Sequence, residues 1–128
     1  MLRKNDIELF VRKTLGCTCP DEVFKHIDCR ADFSLPGGIT LDYRINIGDR
    51  LLIFVLDIDR FDSVAPVLPL LVSAGIEDRD NAGFNRFRLV LLAETPDRLS
   101  DKAFDIFNSL STDEKTHLHI VPKDNFSL

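Results

Sequence analysis

The chain is short of cysteine and of clustered positive charge, and it has no long apolar run. No basic stretch exceeds Arg3-Lys4 or Arg12-Lys13, and 16 Lys and Arg stand against 21 Asp and Glu, a formal net charge of -5. Nucleic-acid affinity comes largely from neutralising phosphates, so that balance argues against a nucleic-acid partner. No segment approaches the apolar length needed to cross a bilayer, and Arg3, Lys4, Asn5, Asp6 and Glu8 interrupt any secretory apolar region at the start. The expectation is a cytoplasmic protein, not bound to membrane, with reduced cysteines. Three cysteines in 128 residues make no disulfide framework. None is needed, because a chain of this size buries roughly two-thirds of its unfolded surface. Gly-rich phosphate loops, nucleophile elbows, zinc-protease helices and internal repeats are also missing.

What is present is apolar patterning. The hydrophobic fraction of 45% with 29% charged residues suits one compact domain over 1–128. The run Leu51-Leu52-Ile53-Phe54-Val55-Leu56-Asp57-Ile58 is apolar at seven of eight positions. Bounded by Gly48-Asp49-Arg50 and by helix-start residues, it predicts a strand buried on both faces. Before it, Ile39, Leu41, Tyr43, Ile45 and Ile47 alternate with polar residues without a break, which predicts the partner strand of an antiparallel hairpin. Ala31, Phe33 and Leu35 alternate ahead of the turn Pro36-Gly37-Gly38.

Helical patterns occupy the rest. Ile7, Phe10, Val11 and Leu15 share one face of a helix over 6–15, with Asn5 and Glu8 spaced as a capping box and Gly16 as its stop. Pro20 opens a second helix reaching Ile27, with Asp21 and Glu22 in its first turn and Val23, Phe24 and Ile27 on its buried side. Val64 to Ala74 is apolar nearly all round and reads as a buried helix starting near Pro66 or Pro69 and ended by Gly75, with a polar loop over 77–83. Phe87 to Ala93 reads as a second doubly buried strand, Ser100 to Leu110 as an amphipathic helix and Leu118 to Val121 as a last short strand. The order predicts an α/β (or α+β) domain with a mixed sheet of about five strands, an antiparallel hairpin leading into parallel crossovers, and two N-terminal helices. The apolar helices need cover, from the same chain or across a homodimer interface.

Three sets of residues carry candidate chemistry. Cys17 and Cys19 lie one residue apart where a helix starts, so backbone amides and the helix dipole favour the thiolate and a soft metal, while Asp21 and Glu22 oppose it. The plain alternative is that both are small buried hydrophobes. A helix over 20–27 would hold Cys29 roughly 15 Å from Cys19 at 1.5 Å per residue, too far for a shared zinc or a disulfide. Asp57 and Asp59 fall at a strand's carboxyl end, where open α/β sheets bind ligands, and Glu94 joins them if the second buried strand lies alongside. Three carboxylates suit magnesium; the alternative is that they end a strand and cap a helix. His117 and His119 share one strand face and form a solvated pair or two of a metal's ligands.

Two short stretches carry resemblances. Thr14-Leu15-Gly16-Cys17-Thr18-Cys19-Pro20 with Glu22-Val23-Phe24 resembles the opening of a small uncharacterised prokaryotic protein family, which implies a bacterial or archaeal cytoplasmic origin and no activity. Leu56-Asp57-Ile58-Asp59-Arg60-Phe61 is similar to a strand of diguanylate cyclases, where the aspartate matching Asp57 helps hold magnesium. The match ends there, since Ala65 and Pro66 replace the family's polar residues and Gly37-Gly38 precedes the strand. The hairpin-rich sheet also resembles restriction-type nucleases, without their acid-x-Lys pair after the hairpin strand. The expected function is a non-catalytic protein-interaction module forming a homodimer on its apolar helices. The alternatives are a metal-binding or redox thiol protein using Cys17 and Cys19, and a carboxylate-metal enzyme using Asp57, Asp59 and Glu94. No cofactor is specified.

Overall fold

The computed structural model describes residues 4–14, 24–110 and 112–126. Helix α1 (Lys4–Leu9) continues as a π-turn (Phe10–Thr14). Strands β1 (Ile27–Ser34), β2 (Thr40–Ile47) and β3 (Leu51–Asp57) follow, then α2 (Val67–Ala82), β4 (Arg86–Ala93), α3 (Pro96–Ser109) and β5 (Thr116–Pro122). One sheet runs β1-β2-β3-β4-β5, antiparallel across the first two pairs and parallel across the last two. The mixed α/β sheet expected from the sequence is therefore the observed one.

The doubly buried strand dictates the layering. Leu51 to Leu56 are all buried, with alternate side chains entering opposite cores. Leu52, Phe54 and Leu56 join Phe87, Leu89 and Leu91 of β4 beneath α2 and α3. Ile53 and Val55 join Ile45, Ile47 and Val90 against Ile7, Phe10 and Val11 of the N-terminal helix and turn. At about 25 cal/mol per Å² of apolar surface removed from water, neither face of this strand tolerates loss of its cover. One side of α2 is thus covered within its own chain: Val67, Leu68, Leu71 and Val72 are buried.

Three elements depart from the sequence reading. First, the second N-terminal helix does not reach Ile27: residues 24–25 form a short 3-10 turn, and β1 already begins at Ile27. The alternation of Ile27, Cys29 and Ala31 with Asp28 and Arg30 is a strand period that starts before Ala31. The expected helical start at Pro20, with Cys17 and Cys19, lies outside the described residues. Cys29 is a free thiol on β1. Second, α2 runs through Gly75 to Ala82 and ends where Gly83 takes a left-handed conformation (φ 78°), so 77–82 is helix, not loop. Gly75 is not a stop but a place of close approach: a Cβ there would lie 2.0 Å from the Phe87 ring. Third, the unbroken alternation of β2 hides a change of face. Ile39 and Leu41 enter the core under α2, while Ile45 and Ile47 enter the core under α1. The change falls where the β1–β2 ladder passes from Ala31–Tyr43 to Phe33–Leu41, skipping Asp32 and Asp42. Asp32 there has φ 51°, and the two facing aspartates make a poor cross-strand pair.

Gly75→Ala should destabilise the protein by about 2 kcal/mol, since overpacking outweighs the gain in helix propensity. Phe87 is fully buried and set edge-on to Phe54 with centroids 5.0 Å apart, so its ring has no room to retreat. Urea unfolding of the variant measures this, and an added Phe87→Leu change should recover part of the loss.

Candidate functional site

The carboxyl end of β3 gathers charge from four elements. Asp57 ends the strand and its side chain accepts the Asp59 amide at 3.0 Å, starting a 3-10 turn (Ile58–Arg60). The Asp57 amide donates to the Asp42 carboxylate of β2, which also accepts from Arg60 Nη2 at 3.1 Å. Asp59 reaches across to β4 and accepts the Glu94 amide at 2.8 Å. Lys123, just past β5, closes the group: its Nζ lies 2.9 Å from Asp59 and 3.3 Å from Asp57. The Lys123 hydrogen bond, then the Glu94 amide, holds the Asp59 carboxyl below its ordinary pKa, and the same bond raises that of Lys123.

Asp57 and Asp59 therefore meet as expected, while Glu94 contributes its backbone amide and leaves its side chain in solvent. Among the described residues, no group of three His, Cys, Asp or Glu is placed to hold a metal ion. An ammonium already stands between the two carboxylates, and a raised pKa keeps it protonated, so Lys123 is no general base here. Asp42 and Asp57 sit on the neighbouring strands β2 and β3, the position two after Asp57 is Asp59, and the lysine of the group comes from beyond the end of β5.

A separate cleft of about 440 Å³ opens between the end of β1, the middle of β2 and the outer face of α2. Phe33, Leu35, Leu70 and Ala74 line it, with Arg44, Asp78 and Glu77. Arg44 grips Asp78 with two hydrogen bonds of 2.8 and 2.9 Å and lies over the rings of Phe33 (5.3 Å) and Phe84 (5.8 Å). That two-pronged bond raises the Arg44 pKa and fixes the cleft floor. Leu70 is 53% exposed at the rim. Ser73 and Glu77 also line a second groove of about 410 Å³ that continues over α2 to Ile76 and Leu110.

Three further polar groups lie outside this cleft. Arg79, only 5% exposed, binds Asp113 at 2.7 and 2.9 Å and Thr116 at 3.0 Å, and the Arg79 bond holds Asp113 at a pKa of about 2. This pins α2 to the start of β5. His119 lies with Nε2 2.8 Å from Arg88 Nη1; burial first, then Arg88, pulls its pKa down to about 4. His117, at the residue paired with Arg88, is lowered for the same reasons. Burial, and then Asp28, raises the Cys29 pKa to about 11, which favours the protonated thiol at neutral pH.

Lys123, Arg44–Asp78 and Arg79–Asp113 escape sequence reasoning, because each pairing spans more than thirty residues and no local spacing announces it. Comparison of the chain with protein-family models, with curated proteins and with solved structures finds no match. The prokaryotic-family resemblance thus rests on its short N-terminal stretch. No helix among the described residues is long and apolar enough to cross a membrane.

Two titrations check these assignments. Lys123→Met should bring the Asp59 pKa up towards its ordinary value in a carbon-detected NMR titration; an unmoved Asp59 would mean the pair does not form in solution. For His119 the folded pKa lies below the unfolded one, so the unfolded chain binds the extra proton as pH falls from about 6.5 to about 4. Stability should fall across that window, and less so in His119→Gln, as followed by urea midpoints at successive pH values.

Proposed function

We propose that the protein is a non-catalytic interaction module that docks an extended segment of a partner in the cleft between β1, β2 and α2. The observation that carries this reading is an open apolar cleft whose polar floor is already committed: Arg44 is engaged by Asp78 in two hydrogen bonds, which suits shape and not proton transfer. Leu70 stands exposed beside Phe33 and Leu35, ready to take an apolar side chain. Glu77 is exposed at the rim, and with a net charge of -5 for the chain it favours a partner with basic residues flanking the apolar one.

The carboxylate-metal reading keeps one observation in its favour, the approach of Asp57 and Asp59 to each other at the carboxyl end of β3, without the Glu94 carboxylate it also called for. It requires a divalent cation to displace Lys123 from those oxygens. The thiol reading turns on Cys17 and Cys19, outside the described residues.

The test is an amide-shift titration with two short peptides, one with leucine flanked by lysines and the other with leucine flanked by glutamates. The lysine peptide should bind with a dissociation constant of about 0.1 to 1 mM, as few contacts must offset the ordering cost. It should move the amides of Ser34, Leu70, Ser73 and Glu77, and Leu70→Asp should abolish the effect. Equal response to both peptides, or shifts elsewhere, would sink the reading.

A further inference from the structure

We infer that two copies of this chain pair antiparallel along the outer edge of β1, with Cys29 on the two-fold axis, so that the sheet continues from one copy into the next. Within the sheet β1 pairs with β2 alone, and no described strand lies on its other side. Three observations choose the register. The Gly48 amide donates to the His26 carbonyl beside the Ile27–Ile47 pair. By the alternation of an antiparallel ladder, Asp28 and Arg30 then turn their amides towards β2, while Ile27, Cys29 and Ala31 turn theirs to the open edge. Only a register that sets odd residues against odd ones forms hydrogen bonds there, which places the axis through a residue.

The left-handed Asp32 ends the regular edge, leaving 27–31, whose middle is Cys29. Charge makes the same choice. An axis through Asp28 or through Arg30 sets that residue against its own copy, like charge on like. An axis through Cys29 sets Asp28 against Arg30 of the second copy, twice over, on the face turned to α2. On the other face it sets Ile27 against Ala31 of the second copy, and the half-buried Ile27 and Cys29 already belong to the core under α1. Asp28 and Arg30 pair within the chain at 3.2 Å, both partly exposed, so each is free to exchange that partner for an equivalent one. The apolar helices, covered by their own sheet, are not needed for this dimer, and neither is the cleft, since Leu70 and Glu77 lie outside the paired stretch.

Sedimentation equilibrium tests the assignment on the full chain and on Asp28→Arg, Arg30→Asp and the double exchange. The wild type should dimerise at micromolar concentrations. Each single reversal puts like charges opposite at two places and should weaken the dimer about tenfold or more, and the double exchange should restore it. The deciding sample is a mixture of the two single variants. Every facing pair is then opposite in sign, so two chains that are monomeric alone should associate when mixed. Circular dichroism of each variant confirms that the fold persists. A wild type that stays monomeric at hundreds of micromolar, a dimer indifferent to the single reversals, or a mixture that does not associate would overturn the proposal.

Discussion

The rest of the molecule depends on a strand that cannot face water on either side. Leu51 to Leu56 carry no polar side chain, so one face of β3 requires α2 and α3 and the other requires the N-terminal helix and turn. The flanking strands β2 and β4 are then fixed as hydrogen-bond partners, because a buried backbone amide without one costs about 1 to 3 kcal/mol. The apolar character of α2 follows from the same demand, since its Val67, Leu68, Leu71 and Val72 enter that core.

The charged residues work around this core and not within it. Arg79 and Asp113 fasten α2 to β5, Arg44 and Asp78 fasten α2 to β2, and Lys123 draws the end of β5 onto the carboxylates of β3. Each links elements that are not hydrogen-bonded neighbours in the sheet. A half-exposed ion pair such as that of Lys123 contributes little by itself. The buried Arg79 is different, because its charge has left water and removing Asp113 would leave it only the exposed Asp80 as a carboxylate partner among the described residues.

Much of this was legible from spacing alone. Continuous apolar runs identify β3 and β4, a single amphipathic stripe identifies α3, and strict alternation up to Gly48-Asp49 followed by the apolar run identifies the β2–β3 hairpin. The sequence misleads where one signal has two physical causes. Gly75 reads as a helix stop, yet it is a contact surface for the Phe87 ring. The polar 77–82 stretch reads as loop because α2 there turns side chains to solvent and to Arg44. Leu41 and Ile45 read as one face because a sequence period does not register a twist of the ladder at facing aspartates. At the candidate site Asp57 and Asp59 were visible as strand-end acids, whereas Lys123 and Asp42 were not, since only the folded sheet brings them together.

The strand order has a consequence for how the molecule is made. Because spatial order repeats chain order, every strand after the first adds to the edge left by its predecessor, and no later strand inserts between earlier ones. The antiparallel meander of β1 to β3 uses short connections and can assemble before β4 has left the ribosome; β4 and β5 each wait for a helix to complete a crossover. Growth therefore proceeds at one border of the sheet only. The border formed by β1 is the oldest edge of the nascent domain, and among the described residues no later strand pairs with it.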